Sequence, residues 1–139
     1  MKNLHRTVAL AALLSGCLAI GPVTVSVHAS RVPGVTLPAL DPAMVDDILE
    51  SSNAATRANV TFSNQSTGPV DIYWIDYNGH RMLYKAALAV NGTWTAGTFL
   101  THPWLVVATG TGGTTASDTG MRIAGFVALT SHGDTAIIK

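Results

Sequence analysis

The chain is poor in cysteine: among its 139 residues only Cys17 occurs. That excludes an intrachain disulfide, so a small exported domain built from this chain must be held by its apolar core. Charge is also scarce, at 12% of residues, with eight Lys and Arg balanced by eight Asp and Glu. The clustered positive surface that nucleic acid requires is therefore not expected. His80, His102 and His132 stand far apart, with no H-x-x-x-H or neighbouring Cys, which argues against a zinc site. The Gly-rich run Thr109-Gly110-Thr111-Gly112-Gly113 lacks the Lys-Ser/Thr of a phosphate loop and reads as a surface loop. A G-x-S-x-G nucleophile motif is missing too. No cofactor is expected, and the chain reads as a binding domain, not an enzyme.

What is present begins with a leader. Residues 1–6 are short and positive, and residues 7–16 are apolar, the pattern of a secretory signal that is too short and wrongly flanked for a membrane span. Two processing sites compete. Leu14-Ser15-Gly16-Cys17 looks like a bacterial lipobox, in which Cys17 becomes a lipidated N-terminus. Val27-His28-Ala29 before Ser30 suits ordinary signal peptidase. The short apolar stretch fits the first, and the continued apolar run 18–27 fits the second. Either cut removes Lys2 and Arg6, which leaves six basic residues against eight acidic ones. The expected location is the periplasm or cell envelope of a bacterium, with membrane contact only through a lipid on Cys17. The expected divisions are 1–29 signal, 30–56 linker and short helix, and 57–139 β domain.

Residues 30–40 carry Pro33, Gly34 and Pro38 and read as extended linker. Asp41-Pro42 then opens a helix, with Asp as N-cap and Pro at the first helical position. Met44, Val45, Ile48 and Leu49 share its apolar face, Asp46, Asp47 and Glu50 lie on the rest, and Ser51-Ser52-Asn53 ends it. This helix is either a partner-binding arm or, the favoured reading, a lid packed on the following sheet.

From residue 58 the period changes to two. Strand-like runs at 58–63, 70–77, 81–88, 93–99, 104–108, 121–129 and 135–138 are separated by turn residues, among them Asn78-Gly79 and Asn91-Gly92. Such spacing indicates an all-β fold, an antiparallel β-sandwich of about seven strands. In the second run Ile72, Trp74 and Asp76 share one face, and Tyr73, Ile75 and Tyr77 the other. The odd face is the candidate core, which leaves Trp74 partly outside. Asn59, Asn64 and Asn91 open glycosylation sequons but read as turn residues.

Five residues carry the functional signal: Trp74, Tyr84, Thr98, His102 and Trp104. Flat aromatic walls with a hydroxyl and an imidazole at the base make a small pocket that can hold one polar group. Thr98 and His102 flank the short turn Phe99-Leu100-Thr101, so both sit at strand ends where their side chains can converge. The plainer reading of each aromatic is core packing, and of the histidine a satisfied structural group.

Residues 58–109 resemble the β domain of the von Hippel–Lindau tumour suppressor family. The resemblance rests on Val60-Thr61-Phe62-Ser63-Asn64-Gln65-Ser66 as first strand and turn, on Trp74 and Tyr84 at a separation of ten, and on His102-Pro103-Trp104 followed by Leu105-Val106-Val107. Thr98 stands four residues before His102, where the family has serine. The resemblance implies a sandwich fold and a pocket for a hydroxylated proline built by Trp74, Tyr84, Thr98, His102 and Trp104. It implies a protein or peptide partner, proline-containing and extended along an edge strand. One extra residue lies between Tyr84 and Thr98, and Pro103 removes a backbone donor. The family's helical domain, which recruits elongin and cullin, has no counterpart in the chain, so no ubiquitin-ligase role is expected. The alternative is a structural or adhesive envelope sandwich without the pocket. It predicts that all the aromatics are buried.

Overall fold

The structure, a computed structural model, describes residues 34–110 and 121–139. The leader, Cys17 and most of the Gly-rich run lie outside the described residues. Helix α1 (Pro42–Asp47) precedes seven strands: β1 (Arg57–Asn64), β2 (Val70–Ile75), β3 (Arg81–Leu88), β4 (Thr93–Phe99), β5 (Pro103–Ala108), β6 (Arg122–Val127) and β7 (Asp134–Ile138). They form two packed sheets, β4-β1-β7 and β3-β2-β5-β6. Among the named strands all pairings are antiparallel except one: β7 runs parallel to β1, with Val60 opposite Asp134 and Asn64 opposite Ile138.

Turn chemistry sets the strand limits. Between β2 and β3, Asp76 Oδ1 accepts the N–H groups of Asn78 and His80, and Gly79 takes the left-handed conformation at φ 75°. After β1, Asn64 is buried and donates Nδ2 to the carbonyls of Gly68 and Leu88, while its Oδ1 accepts from Ser66. Asn64 is thus an organiser of the turn, and Asn91 stands at φ 60° in another. Asn59, expected in a turn, lies within β1 instead, paired with Gly97 of β4.

The two faces of sheet β3-β2-β5-β6 bury different things. Val70, Ile72, Trp104, Val106 and Phe126 face the other sheet and meet Val60, Phe62, Ala136 and Ile138 in the main core, with Trp74 packed at its margin. Tyr73, Ile75, Leu105 and Val107 point the opposite way and are covered by Val45 of α1, with Leu40 and Leu49 beside it. The odd face of β2 is therefore a second, smaller core, and the even face belongs to the sandwich interior. A strand that reads as an apolar run is one buried on both sides.

Helix α1 is a lid on that second core. Asp41 caps it by accepting Ala43 N–H at 2.9 Å, and Pro42 occupies the first turn. It is shorter than its sequence pattern. It ends at Asp47, so Ile48 is 74% exposed and only Val45 of the expected apolar face is fully buried. The chain leaves the helix because Ser51 is drawn onto the β2 end, its N–H donating to Asp76 O and its hydroxyl to Ile75 O. Val45 rests on Gly125 so closely that a Cβ there would lie 2.2 Å from Val45 Cγ2. Asp46, placed on the polar face by its sequence context, is buried and ion-paired with Arg81, and Arg122 adds a contact at 2.9 Å. Ahead of the helix, residues 34–40 run extended along the sandwich, pairing Thr36 with Thr135 and Leu40 with Gly125.

Candidate functional site

The connection from β4 to β5 passes from one sheet to the other. It carries Thr98 at the end of the first and His102 at the start of the second, across the open side of the sandwich. That side is bounded by β3 and β4, each the edge strand of its sheet. Between them lies a cavity of about 110 Å³ lined by Trp74, Tyr77, Tyr84, Gly97, Thr98, Phe99, His102 and Trp104. All five residues singled out from the sequence line it.

Their burial is graded. Trp104, 1% exposed, forms the floor and packs on Phe62, 5.5 Å between ring centroids. His102 (4%) and Thr98 (7%) are nearly enclosed. Trp74 stacks on the imidazole of His102 at 5.4 Å and 28°. Tyr84 stands at the mouth, 52% exposed, edge-on to Trp104 at 5.4 Å and to Trp74 at 5.9 Å.

Tyr84 reaches this position through a bulge. Ile72 pairs with Lys85 and Tyr73 with Leu83, so Tyr84 has no partner in the ladder. A bulge of this kind re-aims its side chain. A second irregularity follows at Ala87, φ 47°, whose N–H donates to Asp71 Oδ1 at 2.8 Å. The extra residue between Tyr84 and Thr98 does not displace Thr98 from the cavity. Pro103 begins β5, where its missing N–H leaves the rest of the ladder intact.

Two serines hold the walls. Trp74 donates its indole N–H to Ser51 Oγ at 2.7 Å. Ser52 Oγ lies 2.8 Å from Thr101 Oγ1, and its backbone hydrogen-bonds the His102 ring. Thr101 sits at φ 67°, a strained conformation for a β-branched residue. Its N–H is tied to Ala128 O, so the turn is held from two sides just before His102.

Three buried polar atoms of the lining residues have no hydrogen-bond partner: Thr98 Oγ1, His102 Nε2 and Trp104 Nε1. Buried groups of this kind are rare because each costs about 1–3 kcal/mol. Burial lowers the His102 pKa below its ordinary value, while the hydrogen bond to the Ser52 backbone works in the other direction. The ring is therefore neutral at pH 7. In a neutral ring whose proton is on Nδ1, the unpartnered Nε2 is free to accept a hydrogen bond.

Tyr77, Phe99 and Gly97 were not foreseen. Strand alternation assigned Tyr77 to the odd face, but β2 ends at Ile75 and the hairpin turns Tyr77 over the cavity, 5.5 Å from Trp74 and 5.7 Å from His102. Phe99 closes on His102 at 5.4 Å. The serines gave no motif at all. Among the described residues no group of three or more His, Cys, Asp or Glu is placed to hold a metal ion.

A family model described as the VHL beta domain matches residues 49–123, more than half of the chain, a span that includes Ser51 and Ser52. No curated protein matches the chain.

Proposed function

The chain belongs to the von Hippel–Lindau β domain family, a family of recognition domains, and on that premise we propose that it binds an extended peptide bearing a hydroxylated proline. The observation that carries this reading is the pair of buried, unpartnered atoms Thr98 Oγ1 and His102 Nε2 in an aromatic cavity. A ligand hydroxyl can accept from Thr98 and donate to His102 Nε2, so one small group satisfies both. The pyrrolidine ring packs against Trp74, Tyr84 and Trp104. The cavity, about 110 Å³, is far smaller than the ~300–1,000 Å³ clefts of drug-sized ligands, and suits a single ring.

The rest of the peptide runs along the free edge of β4. Gly97 supports this. A Cβ built there meets nothing nearer than Asn59 Oδ1 at 3.8 Å, so internal packing does not demand glycine, and its bareness leaves room for an approaching backbone. The alternative, a structural or adhesive sandwich without the pocket, expects all the aromatics to be buried, whereas Tyr77 and Tyr84 are about half exposed around the cavity.

Isothermal calorimetry with paired peptides, one with 4-hydroxyproline and one with proline, tests the reading. The expected result is at least tenfold tighter binding of the hydroxylated peptide, since the plain one leaves both polar atoms unpaired. Equal affinities, or undiminished binding by His102→Ala, would overturn it. We further propose that the domain works at a bacterial envelope, exported by residues 1–29 or anchored through Cys17. Mass spectrometry of the mature N-terminus distinguishes the two forms.

A further inference from the structure

Next to the aromatic pocket lies a second cavity of about 320 Å³, lined by Arg57, Ala58, Asn59, Gly97, Thr98, Phe99 and Ser131. The two cavities share Gly97, Thr98 and Phe99. Along β4 Ala96 and Thr98 face inward and Gly97 outward, and Phe99, at the strand end, lies between His102 and Arg57. On β1, Arg57 and Asn59 face outward, directly opposite Phe99 and Gly97. Arg57 is exposed, its guanidinium lies 5.8 Å from the Phe99 ring centre, and among the described residues it forms no ion pair.

An added strand obeys the same alternation. If a proline ring enters the inner pocket, the residues immediately before and after it point to the outer face. They then lie on the same face as Arg57 and Asn59, one strand beyond β4, where a long side chain can reach across Gly97 to a cation and an amide, with Ser131 on the cavity wall. The residue before a proline is held extended, which favours this arrangement. We propose that the outer cavity is a second subsite that selects an acidic residue next to the bound proline, its carboxylate received by Arg57 with Asn59 and Ser131 beside it. This rests on the pocket reading above for the peptide's placement.

Four peptides separate the two readings: proline or hydroxyproline, each flanked on both sides by Glu or by Gln, measured by calorimetry on the full chain and on Arg57→Gln. The expected result is about two- to fivefold tighter binding of the Glu peptides by the native protein, declining with added salt. That advantage disappears in Arg57→Gln while hydroxyl preference stays. Hydroxyl preference without any Glu preference overturns the subsite and leaves the pocket standing, as does a Glu preference that survives Arg57→Gln. Glu preference lost in Arg57→Gln, with no hydroxyl preference, supports the subsite and removes the hydroxyproline reading. Failure of all four peptides to bind overturns both.

Discussion

Ser51 binds Trp74 to the chain that precedes the sandwich: the indole N–H donates to Ser51 Oγ at 2.7 Å, and the same hydroxyl donates to the Ile75 carbonyl. One small side chain outside any strand therefore sets the angle of a pocket wall. Ser51→Ala leaves the indole N–H without its partner and should cost about 1–3 kcal/mol in urea unfolding. It should also weaken binding of the hydroxyproline peptide, because Trp74 no longer has a fixed orientation. Unchanged affinity would mean that stacking on His102 alone positions the ring.

Thr98 separates hydroxyl chemistry from shape. Thr98→Ser keeps the donor and should bind within a few-fold of the native protein. Thr98→Val preserves volume and removes the donor, so it should lose most of the preference for hydroxyproline over proline, with a small change in stability. Calorimetry with the paired peptides reads both effects.

His102 makes binding and folding sensitive to acid. Its folded pKa lies below the ordinary value of 6.5 because burial disfavours the cation. The unfolded chain therefore takes up the proton first as the pH falls. The neutral ring's contribution is fully present above about pH 6.5 and is lost as the pH falls below it, through the depressed folded value. Protonation also turns Nε2 from acceptor to donor, so the proposed hydroxyl bond weakens only as the pH reaches the depressed folded value. Affinity measured from pH 8 to pH 5 should be flat and then fall. His102→Gln should remove that dependence.

The lid depends on a buried charge pair. Arg81 and Asp46 pair through two bonds with their side chains fully enclosed, and hydrogen bonding to Asp46 raises the Arg81 pKa further. Asp46→Asn removes the counter-charge, although Asp47 still holds Arg122 at 3.1 Å. The expected loss is roughly 3–5 kcal/mol by urea unfolding. The double variant Asp46→Leu with Arg81→Met should recover most of it, since an apolar pair avoids desolvation altogether.

What the sequence made legible follows from short-range physics. Asn-Gly pairs and strand alternation located β3 and β4 at their observed limits, and the spacing of Trp74, Tyr84, Thr98, His102 and Trp104 brought all five to one cavity. The gaps have a common cause in tertiary contact. Asp46 reads as solvated because nothing in its neighbourhood announces Arg81 at a distance of 35 residues. Ile48 reads as helical until Ser51 is seen to pull the chain away. Tyr77 follows the alternation of β2 only if the strand continues, and it does not. The odd face of β2 reads as the core, yet the even face is the one in the sandwich interior, because both faces are buried. Arg57 and Asn59 are ordinary exposed strand residues until β4 supplies Gly97 and Phe99 opposite them.

The parallel pairing of β1 with β7 has a consequence for how the chain reaches its fold. Val60 pairs with Asp134 and Asn64 with Ile138, so each contact joins residues 74 positions apart. Sheet β4-β1-β7 cannot be completed until residues 134–138 have been made. Until then β1 has one flank unpaired, and a contact of such long sequence separation forms slowly. A nascent chain therefore presents an open strand edge to whatever handles it until residues 134–138 have emerged.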